Sequence, residues 1–188
     1  LVKNHNGYLR LSELLTRAFT CQEEGRLPQL KQAWLGEGDN EGLICLSGAH
    51  YGEVGLNLMN GHEAAAEAAA EKYAALFPNA FYLELQRLPE KPEWERSVAG
   101  STALARKLNL PVVATHPTQF LEPDDFLAHE ARVCIAEGWT LADRKRPREF
   151  SPSQYFVGAE TMAERFADLP EALENTVEIA KRCNIHIT

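Results

Sequence analysis

VVATHPTQF, Val112 to Phe120, sets a short apolar run against a histidine, a proline and a glutamine. Val112 to Thr115 lack the strict alternation of a half-exposed strand, which predicts a strand buried on both faces. His116 and Pro117 end it and place the polar residues at its carboxyl end. Upstream, FYLELQ (Phe81 to Gln86) and GLICLSG (Gly42 to Gly48) have the same character, the first through aromatic and aliphatic side chains and the second as an apolar run stopped by Ser-Gly.

Helical spacing fills the gaps. A helix is predicted from about His62 to Phe77, with Glu63, Glu67 and Glu71 on one polar stripe and Pro78 as its stop. A second runs from about Glu93 to Leu108, carrying Trp94, Val98, Leu104 and Leu108, with Pro92 in its first turn. Connections of that length suit parallel crossovers, so the order strand, helix, strand, helix, strand implies right-handed β-α-β units. Before them, LVKNHNGYLRL reads as a strand end, a turn at Asn6-Gly7 and a helix with Tyr8, Leu11, Leu14, Leu15, Ala18 and Phe19 on one face. A short amphipathic piece is expected from Pro28 to Leu35. Beyond Asp124 the pattern is mainly helical and ends in PEALENTVEIAKRCN, with Leu173, Val177, Ala180 and Cys183 along one face. Three parallel strands are too few to close a barrel, and the opening Leu1 reads as a start inside a domain. The expectation is a partial α/β barrel with covering helices.

Composition narrows the class. A chain of 188 residues, 45% apolar, can bury one substantial core, and it shows no internal repeat or low-complexity tract. Its apolar runs fall far short of the roughly 18 residues that span a bilayer, and no secretory leader pattern opens it. Cys21, Cys45, Cys134 and Cys183 have neither zinc-finger nor disulfide-framework spacing. A soluble protein of a reducing cytoplasm, without a membrane partner, fits these features. The net charge of −8 argues against nucleic-acid binding by this segment alone. DRKRPREF is the local exception: Arg144, Lys145, Arg146 and Arg148 surround Pro147, either as a solvated loop or as a contact with an acidic neighbour or a phosphate backbone.

In α/β barrels chemistry sits on loops at the carboxyl ends of strands. Those loops offer His50, Glu84 and His116, followed by Asp124, Asp125 and His129. Such a set could hold zinc or manganese and activate a bound water. Against this, Pro117 has no ligating group, Gln119 is a poor transition-metal ligand, and Glu84 is a single carboxylate. His129 lies within a helical pattern, DDFLAHEARVCI, where a satisfied structural imidazole is expected.

GLICLSGAHYGEVG, FYLELQR, LPVVAT, DDFLAHEARVCIAEG, RKRPREFSPSQY and LPEALENTVEIAKRCNI, in this order, closely resemble the amino-terminal polymerase and histidinol phosphatase (PHP) domain of bacterial DNA polymerase III alpha subunits. The resemblance runs from NHNGYLRLSELLTRAF to the end and implies that residues 1–188 are the last two-thirds of a distorted (β/α) PHP barrel, with no second domain. Alignment from VVAT puts the Asp-x-His metal pair of intact members at Pro117 and Gln119. Ala49 stands where such members often have cysteine after LSG, and Leu88 where many have histidine. The implied metal site is therefore degenerate, with no catalytic or cofactor-binding residue in this segment. If a metal were bound, His50, Glu84, His116 and His129 are the residual candidates.

The function so implied is a non-catalytic scaffold within a DNA-directed DNA polymerase of DNA replication. Its partners would be the remainder of the alpha subunit and the proofreading exonuclease subunit, with DNA reached only through the full-length protein. Mg2+ is expected for the parent polymerase and no cofactor for this segment. The alternatives are a metal-dependent phosphoesterase or pyrophosphatase with a rearranged site, and a stand-alone barrel hydrolase.

Overall fold

The computed structural model describes residues 1–21 and 27–186. In chain order the elements are α1 (His5–Thr20), α2 (Gln32–Leu35), β1 (Cys45–Leu46), α3 (Glu53–Met59), α4 (Glu63–Leu76), β2 (Phe81–Gln86), α5 (Glu95–Leu108), β3 (Val112–Thr115), α6 (Phe126–Glu137), α7 (Ala159–Arg165) and α8 (Pro170–Arg182). One-turn 3-10 helices at Ala49–Tyr51, Pro92–Trp94 and Pro123–Asp125 follow the three strands.

The strands form one parallel sheet in the order β1-β2-β3, with Cys45 opposite Phe81 and Glu84 opposite Val113. α5 packs on β2, α8 packs on β3, and α3 sits between α4 and α5. Phe81, Leu83, Leu85, Val112, Val113 and Ala114 are all buried, so both faces of the central sheet are covered. That is the arc of a (β/α) barrel expected from the apolar strand runs.

Several local expectations are corrected. Asn6-Gly7 is not a turn: Asn4 caps α1, accepting the Gly7 N–H at 3.0 Å, and Gly7 lies in the first helical turn. A Cβ at Gly7 would fall 1.9 Å from the Gly42 carbonyl oxygen, so glycine lets α1 touch the entry to β1. The buried face of α1 is Gly7, Arg10, Leu14 and Ala18, whereas Leu15 and Phe19 are exposed. Arg10 is taken inside because its guanidinium donates to Trp34 O, Glu13 and Asn40. β1 is shorter than its apolar run, because Ile44 and Leu43 pair with Leu1 and Val2 rather than continuing the parallel ladder. The opening strand end is accordingly only an isolated antiparallel bridge at Val2.

The face of α8 is also rotated. Ala172 and Ile179 are buried, Val177 is 53% exposed, and Asn175 donates to Val112 O at 2.7 Å. The stretch 138–158 between α6 and α7 contains no helix. All four cysteines are unbridged. No helix of the described residues is long and apolar enough to cross a membrane.

Candidate functional site

The carboxyl ends of the strands meet around Glu84. After β1 the chain turns through Gly48 and Ala49, both left-handed at φ +80° and +47°. It then folds back so closely that a Cβ on Gly52 would lie 1.7 Å from Ser47 O. This turn aims the Gly48 N–H at the sheet, where Glu84 Oε2 accepts it at 3.1 Å. Thr115, at the end of β3, donates its hydroxyl to Glu84 Oε1 at 2.5 Å and accepts from Gln86 Nε2 at 3.0 Å. Ser47 Oγ accepts the Glu84 backbone N–H at 2.9 Å. One half-buried carboxylate thus ties the ends of β1, β2 and β3 together. Ser47, Gly48 and Thr115, its partners, carry no local signal in the sequence.

His116 is held on both sides. Its Nε2–H donates to Tyr155 O at 2.9 Å, and Nδ1 accepts from Arg165 at 3.0 Å, which fixes the neutral tautomer. Burial first, and then the Arg165 charge, lower its pKa. The loop carrying Pro117 and Gln119 is stitched down by its backbone: Gln154 Nε2 donates to Pro117 O at 3.0 Å, and the Gln119 N–H donates to Gln154 O at 2.8 Å.

His50 lies behind the Gly48 turn, 7% exposed and stacked on Trp94 at 3.6 Å between ring centroids. Neither ring nitrogen has a hydrogen-bond partner, and burial lowers its pKa. His129 departs from the expected satisfied imidazole. It is buried against Phe120 and Phe150, with Nδ1 accepting from Arg132 at 3.3 Å while Nε2 is buried without a partner. Ala49 and Leu88 are buried apolar residues. Burial pushes the Cys45 thiol up to about 11, which leaves it protonated near neutral pH.

Among the described residues no three His, Cys, Asp or Glu side chains converge as a ligand group. Glu84 already satisfies strand-end donors, and the Nδ1 lone pair of His116 is engaged by Arg165. Asp124 and Asp125 belong to the entry of α6, where Asp125 accepts the Glu122 N–H at 3.0 Å.

The basic run is only partly the solvated loop that its composition suggests. Arg146 has a side chain 8% exposed and pairs with Glu130, itself 6% exposed, at 2.5 Å. Sequence reasoning missed this pair, as it missed Arg165, because each joins residues far apart in the chain.

Comparison with known proteins gives a consistent result. Residues 1–88 match the PHP domain family model. Over its whole length the chain is 70% identical to the DNA polymerase III subunit alpha of Neisseria meningitidis serogroup A, 48% identical to that of Pseudomonas fluorescens, and 44% identical to that of Escherichia coli K12. In each case 100% of this chain is covered, and it spans 16% of the relative's length.

Proposed function

We propose that this chain, similar over its whole length to part of DNA polymerase III alpha subunits and matched by the PHP domain family over residues 1–88, is a structural, non-catalytic segment of a replicative DNA polymerase. Residues 1–188 are read as one part of a single PHP domain, extending beyond the matched stretch. The parent polypeptide would add deoxynucleotides to a primer on a DNA template in the cytoplasm. Its Mg2+ would be held by carboxylates outside this chain. The segment would brace the polymerase body and give a docking platform to the remaining polypeptide and to a proofreading exonuclease.

The observation that carries the scaffold reading is the use of Glu84. Its carboxylate accepts from Gly48 and Thr115, which tightens the sheet at the place where a hydrolase would keep ligands open. His116, equally occupied by Tyr155 and Arg165, supports the same conclusion.

The test is a pair of assays on the full-length polypeptide: primer extension, and phosphate release from a phosphomonoester or from pyrophosphate with zinc, manganese or magnesium. Extension without phosphate release is expected. Phosphate release abolished by replacing His50 or His116 would overturn the reading in favour of a phosphoesterase.

A further inference from the structure

The segment 144–148, Arg-Lys-Arg-Pro-Arg, is the densest run of cations in a chain of net charge −8, and the fold treats its members unequally. Arg146 is drawn inward to Glu130 on α6, with side chains 8% and 6% exposed. A buried pair of this kind adds little net stability over apolar packing, but it fixes where its segment lies. Asp143 builds the adjoining turn: its N–H donates to Thr140 O at 3.1 Å, and its Oδ1 accepts the Lys145 N–H at 2.8 Å. Pro147 removes a further backbone freedom. Glu130 is thereby paired with Arg146 and Asp143 engages the Lys145 N–H, while Arg144, Lys145 and Arg148 stand exposed with Glu149 beside them.

We propose that this pinned turn contacts DNA phosphates, with Arg144, Lys145 and Arg148 neutralising the backbone of a duplex held by the full polypeptide. The proposal rests on the reading of the parent as a DNA polymerase. A protein partner would call for an apolar centre within the patch. The five residues of the run have none, the exposed Trp139 and Leu141 lying before it in the chain, whereas phosphates require only positioned cations. A contact made to phosphates alone is independent of base sequence.

The experiment measures primer–template affinity of the full-length polypeptide by fluorescence anisotropy across a salt series. Each neutralised phosphate contributes about 0.9 to the slope of log affinity against log salt, so the Arg144→Ala, Lys145→Ala, Arg148→Ala triple variant should have a slope shallower by up to about 2.7. The Arg144→Lys, Arg148→Lys variant keeps the charges and should keep the slope. An unchanged slope in the triple variant, when the wild-type chain extends primed DNA, overturns this proposal alone. Loss of a protein subunit from the triple variant with an unchanged slope also overturns it, and assigns the turn to an acidic protein surface. A wild-type chain unable to extend primed DNA removes the premise and the proposal together.

Discussion

Replacing Glu84 by alanine removes a carboxylate that accepts two short hydrogen bonds, from the Gly48 N–H at 3.1 Å and the Thr115 hydroxyl at 2.5 Å, and a long one from Gln86 Nε2 at 3.5 Å. Bonds to a charged group contribute about 1.5–3 kcal/mol each, and partial exposure of Glu84 reduces their sum to about 2–4 kcal/mol. The Gly48 amide loses its acceptor in an exposed turn already bent through two left-handed residues. Local opening of the 47–52 turn should then become about 30- to 700-fold more frequent, at 1.4 kcal/mol per tenfold. Hydrogen–deuterium exchange on the full-length polypeptide reads this directly from peptides covering the turn and β3. Glu84→Gln should show a smaller effect, because its amide oxygen can still accept from Gly48. Primer-extension turnover per folded molecule should change little in either variant. Unchanged exchange in Glu84→Ala, or a large loss of turnover in a variant that remains folded, would refute the reasoning.

Glu130→Gln leaves Arg146 buried without its counter-charge and should cost about 3–5 kcal/mol, read by thermal unfolding, whereas replacing both partners by methionine should recover most of the loss. Burial holds the folded pKa of His50 below the ordinary histidine value of 6.5, so its contribution to stability is fully present above that pH and is lost as pH falls through it toward the lower folded value. His50→Phe keeps a ring on Trp94 and should flatten the decline in melting temperature between pH 7.5 and 5; an equally steep decline would exclude His50 as a source. Gly7→Ala would drive a Cβ against the Gly42 carbonyl oxygen at 1.9 Å, a backbone obstacle, and should destabilise by about 4 kcal/mol or more, seen as lost soluble yield or a large fall in melting temperature.

The central sheet was legible because its signal is local. β2 and β3 lie where FYLELQ and VVAT stand, α4 ends before Pro78 as that stop residue predicts, and α5 ends at Leu108 as its spacing predicts. What was not legible depends on distant partners. α3 is short and carries Gly55 and Asn57, poor helix formers, but it is clamped from outside: Glu53 accepts from Lys72 at 2.8 Å, Gln32 at 2.9 Å and Tyr73 at 3.0 Å. The leucines of α1 suggested one inward face, yet Arg10 takes an inner position because Asn40 and Trp34 O wait for it. At the strand ends, Glu84 stood out as the one carboxylate within β2. That it would meet Gly48 and Thr115 follows only from the register of the sheet.

The central claim is that the strand-end cluster around Glu84 braces the sheet and holds no cation. Elemental analysis of the full-length polypeptide, equilibrated with zinc and manganese and then desalted, tests it most directly when wild type is compared with Glu84→Ala, His50→Ala and His116→Ala. The same metal content in all four proteins is predicted. About one equivalent of zinc or manganese retained by the wild type and lost on replacing His50 or His116 would contradict it.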